Sequence, residues 1–250
     1  MRSDNGWKGD AEMTENQGRR TVGVLMGGLG PEREVSLVSG AAIAEALRTN
    51  GHRVVELRVD GQIDRQLREH PIDVAFIGLH GSFGEDGCVQ GLLEWMRIPY
   101  TGSSVMASAL AMDKAMSKTL FGTRSIPTAR WYSVDRNALS DLSKRHGDFG
   151  FPVFVKPQRG GSSVASGRAD NFDELRVRCE DALRIDDDAL VEECIVGKEI
   201  AVGVLDGRAL GALEIEPSGT FYDYESKYTA GKSRYHYPAR VSDEQYNRLL

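Results

Sequence analysis

Lys156 closes the apolar run Phe154-Val155-Lys156-Pro157 and is followed by Arg159-Gly160-Gly161-Ser162-Ser163. A strand-end lysine beside a loop whose backbone N–H groups and hydroxyls can wrap an anion suits a phosphate; a solvated lysine is the plain alternative. Lys114, in Met112-Asp113-Lys114, offers a second cation, although alone it reads as an exposed helical lysine. Glu192, Glu193 and Glu199 flank a turn around Gly197, where a carboxylate can accept both hydroxyls of a ribose and where an acidic, solvated edge is the competing reading. Glu32 follows Gly27-Gly28 at the expected C-terminal edge of a parallel sheet, where α/β ligand sites collect, or else caps a helix. His80, in Leu79-His80-Gly81, ends a neighbouring strand and is placed either to face the same crevice or to pack structurally. Phe221-Tyr222-Asp223-Tyr224-Glu225-Ser226-Lys227-Tyr228 mixes aromatics, acids and a lysine, a composition suited to a lid that keeps water from a reactive intermediate.

Other nucleotide and hydrolase signatures are absent. Gly28-Leu29-Gly30 follows an apolar run but has Arg33 where the dinucleotide fingerprint needs its third glycine. Gly231-Lys232-Ser233 resembles the end of a P-loop, yet Ser226 stands at the earlier glycine position and no strand precedes it. No HExxH or GxSxG occurs.

These residues need a scaffold, and the pattern supplies one. Val22 to Met26 reads as a strand stopped by Gly27-Gly28, with a helix from Glu34 to Asn50 behind it; Val35, Val38, Ala42 and Ala46 share one face, and Asn50-Gly51 is the stop. Arg53 to Val59 and Asp73 to Leu79 read as further strands and Val89 to Met96 as a short helix, which together predict a parallel, right-handed βαβ sheet. A small-residue helix from Ser103 to Phe121 is expected to bridge two domains, and the polar stretch Asp135 to Gly150 to mark a boundary. Strands then crowd at Val153 to Lys156, Val164 to Arg168, Leu190 to Cys194, Ile200 to Leu205 and Ala209 to Ile215, with one helix, Phe172 to Ile185, among them. Their short turns, including Asp206-Gly207, predict an antiparallel sheet. Pro217 to Arg240 has no period, and Val241 to Leu250 starts a helix with Ser242 as N-cap. The predicted divisions are a flexible extension, 1–20; an N-terminal α/β domain, 21–120; a central nucleotide-binding domain, 121–216; and a lid loop with the start of a C-terminal domain, 217–250.

Composition sets the outer bounds. With 31 Lys+Arg against 37 Asp+Glu the 250-residue chain carries a net charge of −6, the wrong sign for a partner to a nucleic-acid backbone. Hydrophobic residues at 40% suffice for a real core in one or two domains. No apolar run approaches the roughly 18 residues of a membrane span, and residues 1–20 lack the apolar stretch of a secretory signal, so a cytoplasmic location is expected. Cys88, Cys179 and Cys194 have neither CxxC spacing nor a histidine pair and read as reduced, packed thiols.

Taken in order, six blocks make the chain resemble the D-alanine–D-alanine ligases of the ATP-grasp superfamily: Gly27-Gly28 with Glu32-Arg33-Glu34-Val35-Ser36; Leu79-His80-Gly81 with Gly84-Glu85-Asp86-Gly87; Pro99 to Ser103; Met112-Asp113-Lys114; Lys156 to Val164; and Pro217 to Glu225. The resemblance implies that ATP phosphorylates the carboxylate of one D-alanine and that a second attacks the acyl phosphate, giving D-alanyl-D-alanine for peptidoglycan. Carried over by the resemblance, Lys114 and Lys156 hold ATP phosphates; Gly161, Ser162 and Ser163 fold over the γ-phosphate; Glu192, Glu193 and Ile195 border adenine; and Glu199 takes the ribose hydroxyls. Glu32 binds the ammonium of the first D-alanine, His80 lies near its carboxylate, Ser162 and Tyr228 form a hydrogen-bonded set with Glu32, and Lys227 contacts the reacting phosphate. Tyr228 favours amide over ester formation. The resemblance also implies Mg2+, whose carboxylate ligands are expected beyond Leu250, and a homodimer. Two departures fall in the phosphate loop, where the family commonly has Glu at the position of Gly160 and Gly at that of Ala165. Another ATP-grasp carboxylate–amine ligase and a non-catalytic nucleotide-binding protein are the remaining alternatives.

Overall fold

The computed structural model describes residues 18–217 and 231–250, which form two compact units, 1–105 and 106–250. In the first unit β1 (Thr21–Gly27) lies between β2 (Arg53–Val59) and β3 (Val74–Ile77), all parallel, as the alternation of apolar runs and helical stretches predicts. Val24, Leu25 and Met26 are buried on both faces of β1, which is why it reads as a continuous apolar run rather than an alternating one.

Helix α1 (Arg33–Thr49) turns a different face inward from the one expected. Ser36, Gly40 and Ala44 are buried, whereas Val38 is 73% exposed. Close approach decides this: a Cβ on Gly40 would lie 2.4 Å from the Cβ of Met26, so only a side-chain-free residue lets α1 sit this near β1. The short helix α2 (Ile63–Glu69), unrecognised in the sequence, places Leu67 in the core, and α3 (Cys88–Trp95) contributes Val89 and Leu93.

The small-residue segment after Ser103 is two helices, α4 (Val105–Met112) and α5 (Lys114–Thr123), rather than one. Asp113 is the reason. Its backbone is extended and bridges to Arg159, while its carboxylate caps α5 by accepting from Met116 N at 3.0 Å.

The second unit is built on a four-stranded antiparallel sheet in the order β4-β7-β5-β6, made of β4 (Trp131–Asp135), β5 (Val153–Pro157), β6 (Gly167–Ala169) and β7 (Asp188–Glu193). The stretch 135–150 is therefore no boundary, since the strands on either side of it both pair with β7; its helix α6 (Leu142–His146) buries Leu142 and His146. Helix α7 (Phe172–Ala182) packs Leu175 and Cys179 onto Val153, Val155 and Val191. β6 starts later than its apolar pattern implies because Ser162, Ser163 and Ala165 all have φ between 50° and 58°, which no strand tolerates.

A second antiparallel sheet has the order β10-β9-β8, from β8 (Glu199–Leu205), β9 (Arg208–Pro217) and β10 (Ser233–His236). The β8–β9 connection is the expected Asp206-Gly207 turn, both residues having positive φ. β10 was not legible in a segment without periodicity, and its presence directly after Gly231-Lys232 rules out a P-loop, which needs a helix there. Helix α8 (Asp243–Leu249) begins with a capping box between Ser242 and Gln245. Of the three thiols, Cys179 is buried, Cys194 half-buried and Cys88 exposed, so the packed reading fails for Cys88. Among the described residues no helix is long and apolar enough to cross a membrane.

Candidate functional site

In the first unit the chemistry gathers at the C-terminal ends of the parallel strands. The Ser36 hydroxyl accepts from Gly27 N at 2.9 Å and donates to Gly78 O at 2.6 Å, which ties the first turn of α1 to the ends of both β1 and β3. That anchoring brings Glu32, at the α1 N-terminus and only 6% exposed, against Gly81. Gly81 has φ of 67°, which favours a glycine, and a Cβ there would lie 2.6 Å from Glu32 Oε2, pushing that flexible carboxylate aside. Glu32 stands at the N-cap position of α1 and makes no side-chain cap hydrogen bond there. The adjacent His80 lies 3.4 Å from Ser39 Oγ through Nε2 and 3.8 Å from Glu85 Oε1 through Nδ1, while Glu85 Oε2 accepts from Gly81 N at 2.7 Å. Glu32 thus lies beside Gly81, the residue that follows His80, at the C-terminal end of the parallel sheet.

In the second unit a cavity of about 200 Å³ is lined by Lys114, Phe154, Lys156, Pro157 and residues 160–164 and 166. β5 delivers Lys156 and α5 delivers Lys114. The Lys114 ammonium donates to the carbonyls of Pro157, Gln158 and Gly160 at 3.1, 3.3 and 2.8 Å, pinning the start of the glycine–serine loop. Burial first, and the neighbouring Lys156 second, pull its pKa down to about 8. The loop itself runs through the left-handed conformations of Ser162, Ser163 and Ala165, which cost a non-glycine residue roughly 1–2 kcal/mol each. A glycine at position 165 would carry no such cost.

Glu192 is placed otherwise than at a free strand edge. Its carboxylate pairs with Lys156 through one oxygen and with Lys118 at 2.9 Å through the other, and its side chain is only 12% exposed. Burial opposes its ionisation, but the two ammonium groups outweigh burial and hold its carboxyl below the usual range. Glu193 faces Arg130 at 3.5 Å, Ile195 is exposed, and Glu199 is the exposed first residue of β8. Lys227 and Tyr228 lie outside the described residues.

Sequence reasoning missed the support behind the loop. Gln158 Nε2 donates to both oxygens of Asp113 at 3.1 Å, and Arg159 pairs with Asp113, Asp186 and Asp188. The Asp186-Asp187-Asp188 run was the available signal. Two lysines and a loop of backbone N–H groups fit a nucleotide polyphosphate. Among the described residues, no three His, Cys, Asp or Glu side chains converge to hold a metal.

Family models for the D-ala D-ala ligase N-terminus and C-terminus match residues 56–103 and 120–250. The D-alanine–D-alanine ligase of Geobacter sulfurreducens is 49% identical over 239 residues, 95% of this chain and 75% of that protein; that of Anaeromyxobacter sp. strain Fw109-5 is 47% identical over 231 residues, 92% and 75%. Among solved structures, D-alanine–D-alanine ligase from Bacillus anthracis superposes with a TM-score of 0.78 at 33% identity over 92% of this chain and 75% of that one. Its complex with ATP gives 0.77 at 30% identity, over 92% and 74%. The chain belongs to the D-alanine–D-alanine ligase family.

Proposed function

We propose that this chain carries the ATP- and D-alanine-handling parts of an enzyme that joins two D-alanines into D-alanyl-D-alanine through an acyl phosphate, for peptidoglycan precursor synthesis. The observation that carries the reading is the cavity where Lys114, Lys156 and the left-handed loop converge, in a chain of this family. ATP supplies the phosphoryl group that activates the first carboxylate, and the chain's own work is positioning and charge neutralisation.

Lys156 and Lys114 neutralise the phosphates; Gly161, Ser162 and Ser163 fold over the terminal one. Glu192, Glu193 and Ile195 border adenine and Glu199 takes the ribose. Glu32 holds the ammonium of the first D-alanine, with His80 near its carboxylate. Lys227 contacts the reacting phosphate, and Tyr228 helps close the site and favours an amine as second substrate. The nucleotide's counterion is Mg2+, the protein is a homodimer, and it works in the cytoplasm. Phosphate release that requires both ATP and D-alanine tests the reading. Lys156→Ala is expected to lower kcat/KM for ATP by about a hundredfold, in line with losing one preorganised charge at a transferring phosphate; unchanged kinetics overturn the phosphate assignment.

A further inference from the structure

Glu192 is held by two cations of unequal freedom. Lys118, on α5, spends its three N–H donors on Glu192 Oε2 at 2.9 Å, Thr128 Oγ1 at 2.8 Å and Ala129 O at 3.1 Å, and its side chain is 10% exposed. Lys156, on β5, pairs with the other carboxylate oxygen, is 25% exposed and lines the cavity. Lys118 does not line it. One cation is therefore a fixture and the other faces the space where a polyphosphate would lie.

Moving Lys156 toward an incoming phosphate takes it from a carboxylate that is nearly out of water. Leaving such a carboxylate without a partner is strongly unfavourable. With Lys118 in place the carboxylate keeps a fixed, hydrogen-bonded counterion after Lys156 turns away. Without Lys118, Lys156 would be the only cation paired directly with Glu192, Lys114 acting on it only at longer range, and would be held there in competition with the nucleotide.

We propose that Lys118 is a positioning residue for nucleotide binding: it neutralises Glu192 so that Lys156 is released to the phosphates. The proposal rests on the nucleotide reading of the cavity. Its signature is a coupling, because Lys118 should matter only while Glu192 is charged.

The test is calorimetric binding of the non-hydrolysable nucleotide adenylyl imidodiphosphate to the 250-residue chain and its variants, with thermal melts of each. Lys118→Met is expected to weaken binding about tenfold, about 1.4 kcal/mol. Lys118→Arg, which keeps the charge, is expected to stay within about threefold of the parent. In a Glu192→Gln background, Lys118→Met is expected to change affinity by less than about twofold. Should the methionine variant not fold, Lys118→Gln takes its place in the same cycle. An equal loss in both backgrounds, or no loss in either, overturns the proposal while leaving the nucleotide site intact. Failure of the parent chain to bind the nucleotide overturns the site reading and the proposal with it.

Discussion

Lys114 carries its charge against burial and a neighbouring cation, and with a pKa pulled down to about 8 it sheds that charge close to neutrality. Protonated, it both pins the loop and adds positive charge beneath the cavity; deprotonated, it does neither well. Nucleotide affinity is therefore expected to fall as pH rises through about 8, and titration calorimetry between pH 7 and 9 reads it. Lys114→Arg stays charged throughout and should flatten the profile. The same shift acts on stability with the opposite sign. Between about 8 and the ordinary value of 10.5 the unfolded chain holds a proton that the folded chain has shed, so Lys114's contribution makes stability rise with pH across that window. Lys156 and the glycine–serine loop were legible because strand end and loop are adjacent in sequence. Lys118 was not, since its partner Glu192 lies on a strand far along the chain and nothing local to α5 marks it.

Element positions were read well where an apolar run is stopped by a glycine turn, as at β1 and the β8–β9 turn, and poorly where contact rather than period decides. The inward face of α1 is the clearest case. Val38 has the right type and spacing for a core position, yet small residues win the interface because the backbone approaches so closely. The expected consequence is that Gly40→Ala destabilises the first unit by about 1–3 kcal/mol through overpacking against the rigid Cβ of Met26. That exceeds the gain of at most about 1 kcal/mol in helix propensity. Gly91, on α3 with open space where a Cβ would go, provides the contrast, and Gly91→Ala should stabilise slightly. Urea unfolding of both variants separates the two effects. The break between α4 and α5 escaped the pattern for a related reason, because the bridge from Asp113 to Arg159 is a tertiary contact and leaves no periodic trace.

For the molecule as a whole, acid is a sharp probe of how the parts of the second unit are tied. Glu214 on β9 is buried, and the hydrogen-bonded guanidinium of Arg240, aided by Lys198, holds its carboxyl at about 2 against burial. The folded value lies below the unfolded one, so the pair's contribution is complete above the ordinary carboxylate value of 4.5 and is lost as pH falls from there toward 2. Thermal melts from pH 6 to 3 should show that decline, and Glu214→Gln should lower the plateau while making the curve flatter.

The order of pairing within the sheets also bears on how the chain is made. The first unit pairs β1 with strands that follow it closely, and its last bridge, Ala75 to Tyr100, completes it early. In the second unit β4 waits for β7, because Trp131 pairs with Glu192 and no earlier strand lies beside it. At a synthesis rate of roughly 5–20 residues per second, the delay between the end of the first unit and the emergence of β7 is on the order of ten seconds. During that time β4 and β5 leave the ribosome without the strand that joins them, and this is the period in which a nascent chain would most need a chaperone's cover.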